Sequence, residues 1–176
     1  TSRGRNLGFF TSFVENRNGM FSAKTYTARR RELRTKIGQG NILLPGNGLA
    51  PNNYPNNAYY CRQDSSFLYY FGLNVPALVG VIDADTGEEA LYGDDFTVED
   101  IIWTGPQPTL QEMGAGVGVA ATFPMAALEA RLRKAIALGR RIHYLPPDRG
   151  ATKLQLSALL GIKSALLHDY KSVELM

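Results

Sequence analysis

The sequence predicts an α/β domain in which a mixed sheet is covered by helices on both faces. Three observations predict it. Segments with helical apolar spacing alternate with short apolar runs, in the order α, β, α, β, β, α, α, β, α. One pair of those runs flanks Ala84-Asp85-Thr86-Gly87, a hairpin signature, because glycine accepts positive φ at the turn. The chain has 176 residues, 44% hydrophobic and 20% charged, which suffices for one domain with a substantial core.

Ser22 can cap a first helix that runs to about Ile37. Ala23, Tyr26, Leu33 and Ile37 fall near one face with arginines opposite, and Gly38 and Gly40 end it. Asn41 to Leu44 is a short apolar run before Pro45-Gly46 and reads as a buried strand. Pro45 to Asn57 holds three prolines, two glycines and five asparagines, so it is a loop. Tyr59 to Arg62 reads as extended. Asp64 can then cap a short helix, its carboxylate accepting the orphan N–H groups of Ser66 or Phe67. Phe67, Tyr70 and Phe71 recur at helical spacing, and Gly72 stops the turn. The hairpin strands are Ala77 to Asp83 and Glu89 to Tyr92; Val79, Val81 and Ile82 make the first apolar enough for a central strand.

Thr97-Val98-Glu99-Asp100 can cap a short helix leading to Ile101-Ile102-Trp103. Thr109-Leu110-Gln111-Glu112 is a capping box, and Leu110, Met113 and Val117 share that helix's inner face. Pro124 opens a longer helix with a stripe of Met125, Leu128, Leu132, Ala135 and Ile136, which Gly139 ends. Ile142 to Leu145 is a strand cut off by Pro146-Pro147. Thr152 can cap a last helix carrying Leu156, Leu159 and Leu160. No internal repeat is visible.

The formal charge of +3 is spread over two basic groups. One is Arg29-Arg30-Arg31 with Arg34 and Lys36; the other is Arg131, Arg133, Lys134, Arg140 and Arg141. Both read as solvated helix faces, and no nucleic-acid-binding motif accompanies them. No run is long and apolar enough to span a bilayer, so a soluble chain is expected. A single cysteine, Cys61, excludes an internal disulfide. Thr1 to Gly19 has no sustained period and no secretory h-region; Phe9, Phe10 and Phe13 are its large apolar side chains, and Met20 could be an initiator.

The acids Asp83/Asp85, Asp94/Asp95 and Glu99/Asp100 could in principle hold a metal, but Asp85 equally fits a turn and Glu99/Asp100 a helix start. His143 and His168 lie in different elements without a partner at ligand spacing. Cys61, Ser65 or Ser66 would need a base within reach to act as a nucleophile, and nothing nearby in sequence supplies one. Gly114-x-Gly116-x-Gly118 lies near a helix end, as a breaker would. No catalytic residue and no metal ligand emerges. Arg62 and Trp103 are better candidates for binding. Arg62 could anchor a carboxylate through its planar fork, or bridge a local acid that orders the aromatic loop. Trp103, before a turn, is either an exposed interface residue or core.

Three blocks carry a family resemblance. Tyr60-x-Arg62-Gln63-Asp64-Ser65-x-Phe67-x-Tyr69, Trp103-Thr104-Gly105 and Lys171-Ser172-x-Glu174-Leu175 together resemble the N-terminal domain of aminopeptidase P and prolidase, the creatinase-like metallopeptidases of family M24. Asn41 to Leu44, Val81-Ile82-Asp83 and Leu91-Tyr92-Gly93 fit the same frame. The resemblance implies a three-layer α/β/α domain of the creatinase N-terminal type, related to ribonuclease H folds but without their carboxylate site. It implies an N-terminal extension over 1–20, the domain over 21–170, and the start of a linker over 171–176. The chain is then the non-catalytic N-terminal domain of a cytoplasmic Xaa-Pro aminopeptidase, an enzyme that removes the N-terminal residue preceding proline.

In that family two divalent metals, usually manganese, are held by carboxylates and a histidine of a following catalytic domain, which this sequence does not reach. The implied partners are the chain's own C-terminal catalytic domain, further copies in a homo-oligomer, and a peptide substrate; neither nucleic acid nor membrane is implied. Trp103 matches a pocket-lining tryptophan offered to a neighbouring subunit's active site. Arg62 and Tyr60 occupy motif positions in the same substrate pocket or interface. Phe71-Gly72 and Ile101 depart from the family pattern, and the Pro45 to Asn57 loop is longer than in compact members. Prolidase, an Xaa-Pro dipeptidase, shares similar blocks. A free-standing peptide-binding module and a hydrolase using Cys61 and His143 are the other readings.

Overall fold

In the computed structural model, which describes residues 20–54 and 57–167 and only the backbone at 103 and 104, five strands form one mixed sheet. They are β1 (Asn41–Pro45), β2 (Val79–Asp83), β3 (Glu89–Tyr92), β4 (Ala121–Phe123) and β5 (Ile142–Tyr144), in the order β4-β3-β2-β1-β5. β2 lies antiparallel to both β1 and β3. The outer strands run parallel to their neighbours, β5 to β1 and β4 to β3. All five residues of β2 are buried, as its apolar sequence predicts for a central strand.

Because side chains alternate across a strand, the sheet has two apolar faces. Ile42, Leu44, Ile82 and Leu91 face one core with Tyr26, Phe67, Phe71, Leu110 and Met113. Leu43, Val79, Val81, Ala90 and Tyr92 face the other with Leu128, Leu132 and Leu156. The first core is roofed by α1 (Ala23–Ile37), α2 (Ser65–Phe71) and α4 (Leu110–Gly116); the second by α5 (Ala126–Ala137) and α6 (Gly150–Leu160). A short α3 (Val98–Thr104) stands between β3 and α4. The architecture is therefore the expected three-layer α/β/α sandwich with a mixed sheet.

Local signals explain most element ends. Asp64 Oδ1 accepts the Phe67 N–H at 2.9 Å, and Gly72 closes α2 in the left-handed region at φ 70°. Thr97 with Asp100, and Thr109 with Glu112, form reciprocal capping boxes on α3 and α4.

The structure corrects several expectations. β4 is a strand that the sequence does not announce. Ser22 is at the N-cap of α1, but its hydroxyl meets the Thr25 hydroxyl at 3.2 Å instead of a backbone N–H. α6 begins at Gly150 with Arg149 at its N-cap, so Thr152 lies inside the helix. Arg30 is fully buried, not part of a solvated face. The Thr1 to Gly19 arm, His168 and the 171–176 segment lie outside the described residues.

Candidate functional site

The segment from Tyr59 to Phe71 divides by direction. Phe67 and Phe71 stack at 5.1 Å inside the core. Gln63, 2% exposed, locks the loop in front of them. Its Oε1 accepts the N–H groups of Asn47 and Asp64, and its Nε2 donates to the Val75 carbonyl at 2.6 Å. The Asn47 side chain adds a bond to the Arg62 carbonyl at 2.9 Å. A buried amide bonded on both its oxygen and its nitrogen in this way fixes three chain segments to one another. The residues between the locks point outward: Tyr59 is 59% and Tyr60 70% exposed, and Arg62 is exposed.

These outward residues line a cleft of about 440 Å³. Tyr59, Tyr60, Cys61 and Arg62 form one wall, Asn47 and Gly48 another, and Asp148 and Arg149 a third. Tyr60 and Arg62 thus line the same cleft. Among the described residues the Arg62 guanidinium meets no carboxylate, and Gln63 orders the loop. The Trp103 backbone lies in α3, and its side chain is outside the description. Sequence reasoning missed Gln63 and Arg149. Gln63 carries a signal only as a member of the motif, and Arg149 reaches the cleft through the fold.

Around Trp103, α3 exposes Val98 by 76%, Ile101 by 39% and Ile102 by 74%. Positions i, i+3 and i+4 share a helix face, so these three side chains form one apolar stripe toward solvent.

The acidic pairs have structural partners. Asp83 takes a two-pronged bond from Arg140 at 2.8 and 2.7 Å, and its Oδ1 also accepts the N–H groups of Asp85 and Thr86 at 3.0 Å. Asp85 Oδ2 accepts from Gly40 N–H and from Arg140. Burial alone would raise the Asp83 carboxyl, but Arg140 and the two backbone donors outweigh it and hold it down at about 2. Asp94 Oδ1 accepts the Met125 N–H at 3.0 Å, and Asp95 Oδ1 accepts the Leu110 N–H at 2.6 Å, so each serves a different helix start. Asp100 and Glu112 belong to the capping boxes.

His143 Nε2 donates to the Gln39 carbonyl at 2.9 Å on β5. Cys61 lines the cleft, where among the described residues no histidine joins it. Burial pushes its thiol up, and the charge of Arg149 only partly offsets that. His143 is thus not brought to Cys61 as a Cys61–His143 hydrolase would require. Among the described residues no three His, Cys, Asp or Glu side chains gather as a metal site requires. No described helix is long and apolar enough to cross a membrane.

Comparison with known proteins agrees with this fold. The family described as aminopeptidase P, N-terminal domain, matches residues 26–143. Escherichia coli aminopeptidase P in its low pH form superposes with a TM-score of 0.67 at 19% identity, over 80% of this chain and 33% of that one. Pseudomonas aeruginosa aminopeptidase PepP gives 0.68 at 21% identity, over 80% of this chain and 32% of that one. Zinc-substituted E. coli aminopeptidase P in complex with product gives 0.67 at 19%, with 80% and 33% covered. The chain thus spans about a third of the length of these structures, and at such identities the likeness is one of fold. No curated protein matches the sequence.

Proposed function

The chain belongs to the aminopeptidase P N-terminal domain family, and on that premise we propose that it is the non-catalytic part of a Xaa-Pro aminopeptidase, shaping the active-site mouth and building the oligomer. In this reading its partners are a C-terminal catalytic domain, further copies of the same chain and a peptide substrate, in the cytoplasm. Two divalent metals, manganese by family resemblance, would supply the hydrolytic chemistry from that catalytic domain. The part proposed for this chain is to position and enclose.

The observation that carries the proposal is the division of the Tyr59–Phe71 segment. Gln63, Phe67 and Phe71 are spent on locking it, while Tyr60 and Arg62 are held outward on a rigid base. Preorganised polar and aromatic groups on a locked loop suit a binding surface better than a core. The apolar stripe of α3, which leads into Trp103, supports the same role at a subunit interface.

The test is Trp103→Ala in the full-length enzyme. We expect kcat/KM on Xaa-Pro peptides of three or more residues to fall by about tenfold, the scale of a lost aromatic contact at a substrate pocket. Unchanged kinetics would reject the pocket role. Activity confined to Xaa-Pro dipeptides would instead assign the parent as a dipeptidase.

A further inference from the structure

Arg62 and Arg149 face the same cleft from two separate loops. Among the described residues neither guanidinium makes an ion pair, as Arg29, Arg31, Arg34 and Arg141 also do not, so both keep their forks available to a ligand. Two acids also line the cleft, Asp64 and Asp148. Asp64 is already engaged, since its Oδ1 caps α2 through the Phe67 N–H. Asp148 makes no ion pair with either arginine. Tyr59 and Tyr60 add exposed aromatic surface beside the arginines, and Tyr59 is held in place by a 2.7 Å bond to Asn52. Gln63 fixes the backbone that presents Arg62.

From this arrangement we propose that the cleft binds the C-terminal carboxylate of a short peptide, gripped by Arg62 and Arg149 with Tyr60 against the peptide body. A guanidinium fork matches a planar carboxylate, and two forks from different loops can share its oxygens. A monoanion suits the site better than a phosphate, because the two lining carboxylates repel a dianion more strongly. The tyrosine surface favours an organic body, proline rings included. The proposal deepens the substrate-mouth reading and rests on it: it names the end of the peptide that this domain would hold.

The probes are N-acetyl-Ala-Pro-Ala as the free acid, the same peptide as its C-terminal amide, and inorganic phosphate. Each is titrated into the 176-residue chain by isothermal calorimetry and by NMR of the arginine side-chain N–H groups. Blocking the peptide's amino terminus and omitting the catalytic domain keep this readout separate from the kinetics of Trp103→Ala. The proposal expects weak, saturable binding of the free acid, and at least about tenfold weaker binding of the amide. Arg62→Gln and Arg149→Gln should each weaken the acid several-fold and together abolish binding, with melting temperatures unchanged. Asp148→Asn should tighten it. Equal binding of acid and amide, no binding of either, or preferential binding of phosphate would each overturn the proposal while leaving the family-level reading intact.

Discussion

Arg30 stands in a run of three arginines, yet it is fully enclosed while Arg31 is exposed. Its Nε donates to Glu89 Oε2 at 2.7 Å and its Nη1 to the Tyr70 carbonyl at 2.9 Å. Its Nη2 reaches Thr27 Oγ1, the Val117 carbonyl at 3.0 Å and the Gly118 carbonyl at 3.3 Å. The guanidinium also sits 5.2 Å from the Phe71 ring centre. One side chain thereby ties α1 to the end of α2, to β3 and to the end of α4. Its burial was legible in principle, because position 30 falls on the Tyr26, Leu33, Ile37 stripe at helical spacing. What hid it was residue type, since an arginine is rarely enclosed unless all its donors are used. Removing one member of such a network leaves the others buried without partners. We expect Arg30→Ala to destabilise the domain by about 3–5 kcal/mol, and Arg31→Ala to stay within about 0.5 kcal/mol of the parent. Urea unfolding measures both. A lysine at 30 should also be costly, because a single ammonium cannot span these acceptors. Equal unfolding midpoints for Arg30→Ala and Arg31→Ala would show that the network contributes nothing net.

At the level of elements, the sequence was most readable where a local device sets the boundary. Asp64, Thr97 and Thr109 cap the helices that they precede, and the hairpin folds around its predicted turn. β4 was not readable: three residues, Ala121 to Phe123, show no alternation and become a strand only by pairing with β3. The cleft was half readable, since its Tyr59–Ser65 wall lies in the motif but Asp148 and Arg149 arrive from a distant loop. Gly80 was likewise opaque; a Cβ there would come within 2.1 Å of the Phe71 ring, so glycine in a central strand makes room for that aromatic. The β2–β3 turn has its own chemistry. Asp83 is 4% exposed, and its carboxyl lies at about 2 rather than the ordinary 3.8. A carboxyl held low in the folded state adds stability above its unfolded value and loses it as pH falls through the folded one. The loss therefore runs from about pH 5 down to below pH 2, and this group's share is roughly 2 kcal/mol. Asp85 is shifted in the same direction by Arg140 and by the Gly40 N–H. We expect Asp83→Asn to flatten this part of the stability-versus-pH curve. Arg140→Gln should move the loss to higher pH. Chemical denaturation at stepped pH measures both, and parallel curves for parent and Asp83→Asn would show that Asp83 is not the group responsible.

At the scale of the whole molecule, five of the six α-helices among the described residues roof the two faces of the sheet, and α3 does not. None of its described side chains belongs to either core, yet it is capped as carefully as α4 and points Val98 and Ile102 into solvent. Apolar side chains at i and i+4 of one helix bury well only against a second surface. If that surface is another subunit, the stripe stabilises assembly and holds Trp103 at the boundary. A charge placed on it should then act on assembly without touching the fold. We expect Ile102→Glu in the full-length enzyme to lower the subunit count seen by sedimentation equilibrium, with kcat/KM falling in parallel. The same substitution in the 176-residue chain should leave its urea midpoint within about 0.5 kcal/mol of the parent, as for an exposed site outside the core. A drop in the midpoint would mean that α3 packs onto its own domain. An unchanged subunit count would mean that the stripe is not the interface, and the case for Trp103 at a neighbouring active site would go with it.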